Sequence, residues 1–91
     1  GTVCVVGGCC RGSRRYVGAA ALAALGALRA GCGLCRVMAP EPVIGHVLGV
    51  VSSATGVSLA VGADGSISGR HAAAQVLAAA EHGETLVVGP G

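Results

Sequence analysis

The chain has 91 residues and a formal charge of +2, and it contains no Trp and no Phe. A chain of this length forms at most one domain and buries only about 60–65% of its unfolded surface. Six arginines against four acidic residues, with one tyrosine as the only aromatic side chain, exclude the basic and aromatic surface that is typical of nucleic-acid-binding proteins.

Short apolar runs alternate with stretches of small residues along the chain. The predicted elements are a strand over 3–6, a glycine-rich turn over 7–18, a helix over 19–29, a strand over 34–39, a helix over 42–51, a turn over 52–55, a strand over 57–61, a helix over 69–82 and a strand over 85–88. Strands that alternate with helices predict an α/β fold with a mainly parallel sheet and right-handed crossovers.

Glycine, proline and serine predict several ends of these helices. Gly31 follows the first helix and suits its C-terminal cap, and Pro42 suits the first turn of the second helix. Ser68 is placed to cap the third helix at its N-terminus, and Gly83 to end it. The pair Asp64-Gly65 predicts a turn before the third helix.

Two glycine-rich loops follow predicted parallel strands, one after Val6 and one after Val88. Ligands of parallel α/β sheets bind beyond the carboxyl ends of the strands, so these loops predict a small-molecule site. The first loop leads into a helix N-terminus, whose free backbone N–H groups favour anions. It matches neither a Walker P-loop nor the dinucleotide fingerprint.

A basic cluster, Arg11, Arg14 and Arg15, lies in the first loop, next to Tyr16. The arginines either form a solvated loop or contact a phosphate. Tyr16 either covers the loop or packs on the helix that follows.

Five cysteines leave two interpretations open. Cys32 and Cys35 have C-x-x-C spacing, which occurs in zinc sites and redox pairs. Alternatively, each cysteine is a small buried apolar residue. The histidines at positions 46, 71 and 82 show no spacing typical of metal ligation and are expected on helix surfaces.

The longest apolar run, over 17–28, is shorter than the about 20 residues that a membrane span needs, so no membrane association is expected. We expect a cytoplasmic protein, since the cysteine pattern is otherwise typical of intracellular chains.

Four segments carry a family resemblance: VVGG at 5–8, YVGAA at 16–20, ALGALRAGCGL at 24–34 and VVGPG at 87–91. With these segments the chain resembles the ADP/ATP-dependent NAD(P)H-hydrate dehydratases, which are ribokinase-like enzymes. The resemblance implies a three-layer α-β-α fold of which residues 1–91 form an incomplete, N-terminal portion.

The resemblance also implies a reaction and a set of binding residues. Such enzymes eliminate water from hydrated NADH or NADPH at the expense of ADP or ATP, with Mg²⁺ at the phosphates. The implied substrate-binding residues are Gly18, Ala19, Gly89 and Gly91, because small residues let the hydrated nucleotide approach the backbone.

The chain departs from the family pattern in two places. It has Gly8-Cys9 where the family has Gly-Ser, followed by a longer segment over 10–15. The His-Pro-Gly-Glu and Gly-Thr-Gly-Asp motifs do not occur, so the resemblance assigns no catalytic residue within 1–91. Alone, the chain is expected to be inactive as an enzyme.

Other expectations concern partners. A homo-oligomer is expected because exposed strand edges favour association, and fusion to an epimerase domain is a further possibility of the family. The alternative to the dehydratase is a non-catalytic α/β module that binds a nucleotide or a metal.

Overall fold

A parallel sheet with helices on both faces forms the structure, a computed structural model that describes residues 1–64, 66–67, 69–80 and 84–89. The elements are β1 (Thr2–Val6), β2 (Cys9–Arg11), β3 (Arg14–Tyr16), α1 (Gly18–Arg29), β4 (Leu34–Pro40), α2 (Glu41–Val50), β5 (Thr55–Leu59), α3 (Gly69–Ala79) and β6 (Thr85–Val88). The predicted α/β class is therefore confirmed.

The sheet has the strand order β5-β4-β1-β6, and all of its neighbouring strands are parallel. Val5 of β1 lies between Val37 of β4 and Val87 of β6 in register. The chain adds β4 and then β5 on one side of β1, and it returns to place β6 on the other side. The strand order thus reverses between β1 and β6.

One face of the sheet packs against α1 and α2. Its core contains buried apolar side chains from the sheet and from both helices, including Val5, Val37, Ala24 and Val47. Small residues on α1 let the helix approach the strands closely, as the alanine-rich sequence predicts. Gly31, with a φ of 101°, ends α1 in a Schellman motif, since its N–H bonds to Leu28 O and the next N–H bonds to Ala27 O.

The other face carries α3, which polar contacts attach to the sheet. Gln75 bridges to the end of β5: its amide nitrogen donates to Ser58 O at 3.0 Å, and its Oε1 accepts from the Ala60 N–H at 3.0 Å. Arg36 Nη1 donates to Ala79 O at 3.3 Å and forms an ion pair with Glu84 at 2.5 Å. The apolar cluster beneath is small: Cys4, Met38, Leu59 and Ala72.

The predicted glycine-rich turn over 7–18 is wrong in one respect, because it contains the antiparallel hairpin β2-β3. Gly12 has a φ of 55°, whereas the φ of Ser13 is negative, since no described non-glycine residue has a positive φ. A positive φ at the first central residue alone makes Gly12-Ser13 a two-residue type II′ turn. A glycine in the first central position gives this turn the twist that the flanking strands need.

The predicted strand over 57–61 is shifted, since β5 spans Thr55–Leu59 and Thr55 is not part of a turn. Pairing to β4 sets this register, with Arg36 opposite Thr55 and Pro40 opposite Leu59. Val61 instead forms an isolated bridge to Ile67.

Among the predicted helix ends and turns, the Ser68 cap, the end of the third helix at 82–83 and Gly65 of the turn lie outside the described residues. None of the helices in the described ranges has the length and hydropathy needed to cross a membrane.

Candidate functional site at the carboxyl edge of the sheet

The reversal of strand order between β1 and β6 marks the candidate site. In open parallel sheets, ligands bind beyond the carboxyl ends of the strands at such a reversal. The turn after β6 reaches this point directly, because the Gly89 N–H donates to Val6 O, the last residue of β1, at 3.1 Å. The two glycine-rich turns that the sequence singled out are therefore brought together.

The turn after β1 is held tightly in place. The Gly7 N–H donates to Met38 O on β4 at 3.1 Å. Gly8 has a φ of 88°, and a Cβ at this position would lie 3.1 Å from Val43 Cγ1 and 3.4 Å from Tyr16 O. Backbone conformation and close packing therefore both require glycine at position 8.

Gly18 and Ala19 lie exposed in the first turn of α1. The first backbone bond of the helix runs from the Ala21 N–H to Val17 O, so the N–H groups before Ala21 are not used within the helix. No side chain caps this end, and its first turn carries no acidic residue. The positive end of the helix dipole is thus open to an anion.

Packing does not explain the glycine at position 18. A Cβ there would meet no atom within 4 Å, and its φ lies outside the left-handed region. Gly89 differs, because its φ of 117° favours glycine although a Cβ would also meet open space. Of the predicted binding residues, Gly18, Ala19 and Gly89 are described, and Gly91 lies outside the described residues.

The structure buries Cys35 and half-buries Cys32, the two cysteines with C-x-x-C spacing. In the ranges that the structure describes, no three His, Cys, Asp or Glu side chains are grouped to hold a metal. Cys35 is fully buried, and burial raises the pKa of its thiol, with a smaller contribution from Cys32. Metal binding and redox exchange both require a thiolate, which a raised pKa disfavours.

Of the histidines, His46 on α2 and His71 on α3 are exposed, and His82 lies outside the described residues. Asp64 is also exposed, in the loop after β5. The Ser66 hydroxyl and N–H, at 2.6 and 3.0 Å, hold the pKa of Asp64 below its usual range, and Arg11 lowers it further by a smaller amount.

Sequence reasoning missed the hairpin β2-β3 and the arrangement of its arginines. The sequence does contain an indication of the hairpin, because Gly-Ser, which separates Arg11 from Arg14, is a dipeptide typical of two-residue hairpin turns. The flanking strands are basic and short, without the apolar alternation that usually indicates a strand.

Comparison with protein-family models, with curated proteins and with solved structures found no match to this chain.

Proposed function

We propose that the chain supplies the hydrated-nucleotide side of an NAD(P)H-hydrate dehydratase, an enzyme that restores NADH or NADPH by eliminating water. The observation that carries the proposal is the hydrogen bond from Gly89 to Val6, which joins two glycine turns where the strand order reverses. The resemblance of the glycine segments to that family is the second support.

Each proposed binding residue would make a specific contact with the substrate. The N–H groups of Gly18 and Ala19 would donate to the pyrophosphate of the substrate, and the dipole of α1 would stabilise its charge. Gly89 and Gly91 would let the rings approach the backbone without a side chain in between. ADP or ATP with Mg²⁺ would be the second ligand, and the proposal assigns no catalytic or metal-ligating role to residues of this chain.

A matched pair of substitutions on α1 tests the proposal. Gly18→Leu and Gly26→Leu both place a side chain in open space on the same helix, because neither Cβ meets an atom within 4 Å. Both changes also raise helix propensity, so neither is expected to unfold α1. We expect Gly18→Leu to weaken binding of NADPH hydrate at least about tenfold, which corresponds to about 1.4 kcal/mol, and Gly26→Leu to leave it unchanged.

Isothermal titration of the 91-residue chain with NADPH hydrate measures this difference. Equal binding by Gly18→Leu and wild type would contradict the assignment of the α1 N-terminus. A chain that binds ADP but not NADPH hydrate would instead favour the alternative, a non-catalytic nucleotide-binding module. Recovery of absorbance at 340 nm with ADP or ATP and Mg²⁺ reports dehydration itself, and the chain alone is expected to show none.

A further inference from the structure

The hairpin β2-β3 presents an unusual pair of charges. Its two-residue turn places Arg11 directly opposite Arg14, and Cys9 opposite Tyr16. Because side chains alternate along a strand, these four residues share one face of the hairpin. On the other face, Cys10 is only 4% exposed and packs into the core, whereas Arg15 opposite it is exposed. The face with Arg11, Arg14 and Tyr16 is therefore the outer one.

Like charges directly opposite each other destabilise an antiparallel pair. Arg15 binds within the hairpin, where its Nη1 donates to Gly12 O at 2.8 Å and to Arg14 O at 3.1 Å. The guanidinium groups of Arg11 and Arg14 form no ion pair with any residue in the described part of the chain. An anion between them would relieve the repulsion and accept charge-assisted hydrogen bonds from both.

Tyr16 adds an aromatic surface beside the pair. It is the only aromatic residue of the chain, and 44% of its surface is exposed. It lies two residues after Arg14 on β3, so their Cα atoms are about 7 Å apart along the strand. This spacing suits a ligand with a phosphate at one end and a planar ring at the other.

We propose that the outer face of the hairpin, formed by Arg11, Arg14 and Tyr16, binds a nucleoside phosphate. The two guanidinium groups hold the phosphate, and the ring stacks on Tyr16. Asp64, whose pKa Arg11 lowers by a small amount, is hydrogen-bonded to Ser66 and forms no ion pair with the described arginines of the hairpin. The inference stands whether or not the chain belongs to a dehydratase, because it requires no elimination chemistry.

ADP and inorganic pyrophosphate are the probes, and they separate ring stacking from phosphate binding. We expect both to bind the wild-type chain, and only ADP to shift the ring protons of Tyr16 upfield in an NMR titration. Since no other Tyr, Phe or Trp is present, that signal reports one position. An ADP titration that leaves the Tyr16 ring unmoved would overturn the inference without any variant.

Substitutions then assign the contacts. The double variant Arg11→Gln/Arg14→Gln should lose at least about tenfold in affinity for both probes. Its matched control is Arg29→Gln/Arg70→Gln, which changes the net charge equally at exposed positions outside the hairpin and should stay within about twofold. Equal losses in the two double variants would show non-specific charge attraction and overturn the site.

A further variant tests the ring contact. Tyr16→Leu should weaken ADP severalfold while leaving pyrophosphate unchanged, because only ADP has a ring to stack on Tyr16. An equal loss of affinity for both probes in Tyr16→Leu would contradict stacking on this side chain.

Discussion

The two faces of the sheet are held by different forces. On the α1/α2 face, apolar side chains such as Val5, Val37 and Val47 are fully buried. On the α3 face, the described part of the helix buries only Ala72, and polar contacts from Gln75 and the sheet attach it. A thin, alanine-rich chain thus covers one face mainly by packing, and on the other face hydrogen bonds supplement a smaller apolar cluster.

The edge strand β6 is exposed on both faces of the sheet. Leu86 and Val88 share the α3 face with Cys4 and Val6, and they are 40% and 69% exposed. Neither side chain belongs to the apolar cluster beneath α3, which extends to Cys4 and Val6 of β1. The β6 edge is therefore the least covered part of the sheet.

Arg36→Met is expected to have the largest effect, because it leaves the carboxylate of Glu84 without its partner on the α3 face. The Glu84 side chain is only 7% exposed, and Arg36 is 26% exposed. Removing one member of such a buried pair should cost about 3 kcal/mol in the free energy of unfolding, measured by urea denaturation. The double variant Arg36→Met/Glu84→Met should recover most of the loss, and a double variant as unstable as the single one would contradict this.

A pair of identical substitutions compares a covered and an uncovered strand. Val5 and Val87 are in register on the same face, yet Val5 is fully buried and Val87 is 38% exposed. Val5→Ala should cost about 2 kcal/mol, and Val87→Ala less than about 1 kcal/mol. Urea unfolding measures both, and equal costs would show that β6 is buried in solution.

Gln75→Leu tests the hydrogen bonds that attach α3. The change removes both bonds to β5 while keeping an apolar side chain of similar size, so it should cost about 1 kcal/mol. Hydrogen exchange should increase in α3 but not in α1, because local opening concentrates where contacts are few. If hydrogen exchange increased equally in α1 and α3, the result would contradict the conclusion that α3 is attached to the sheet independently of α1.

The smallest expected effect is a dependence on pH at alkaline values. Burial raises the pKa of Cys4, with a further contribution from the charge of Glu84, and burial also raises the pKa of Cys35. The unfolded thiols lose protons at lower pH than the folded ones. Their contribution to stability should therefore be constant below about pH 8.5 and be lost as the pH rises above it. Urea unfolding under reducing conditions, repeated across this pH range, measures the loss. If the free energy of unfolding of Cys4→Ala/Cys35→Ala fell with pH as steeply as that of the wild type, the result would contradict this origin.

Sequence patterns predicted the sheet and helices well because these elements are defined locally. Continuous apolar runs indicate β1, β4 and β6, and Gly31 with Pro42 marks where helices end and begin. The strand order could not be predicted, since the position of β6 beside β1 depends on contacts between distant parts of the chain. The shift of β5 has the same cause, because pairing to β4 and not its own composition sets its register.

The candidate site was predictable only in part. The glycine turns after β1 and β6 follow from composition and from the rule that ligands bind at carboxyl ends of parallel strands. Their direct contact through Gly89 and Val6 depends on the strand order. The opposed arginines of the hairpin depend on one turn at Gly12, whose conformation sets which side chains face each other.

The pairing of β6 with β1 has a consequence for how the molecule folds. Val3 and Thr85 are neighbours in the sheet although nearly the whole sequence separates them. Closing so long a loop is slow, because its entropy cost precedes any gain from contacts. We therefore expect the edge where the two glycine turns meet to be completed late in folding, and a ligand that binds there would select chains in which β1 and β6 have already joined.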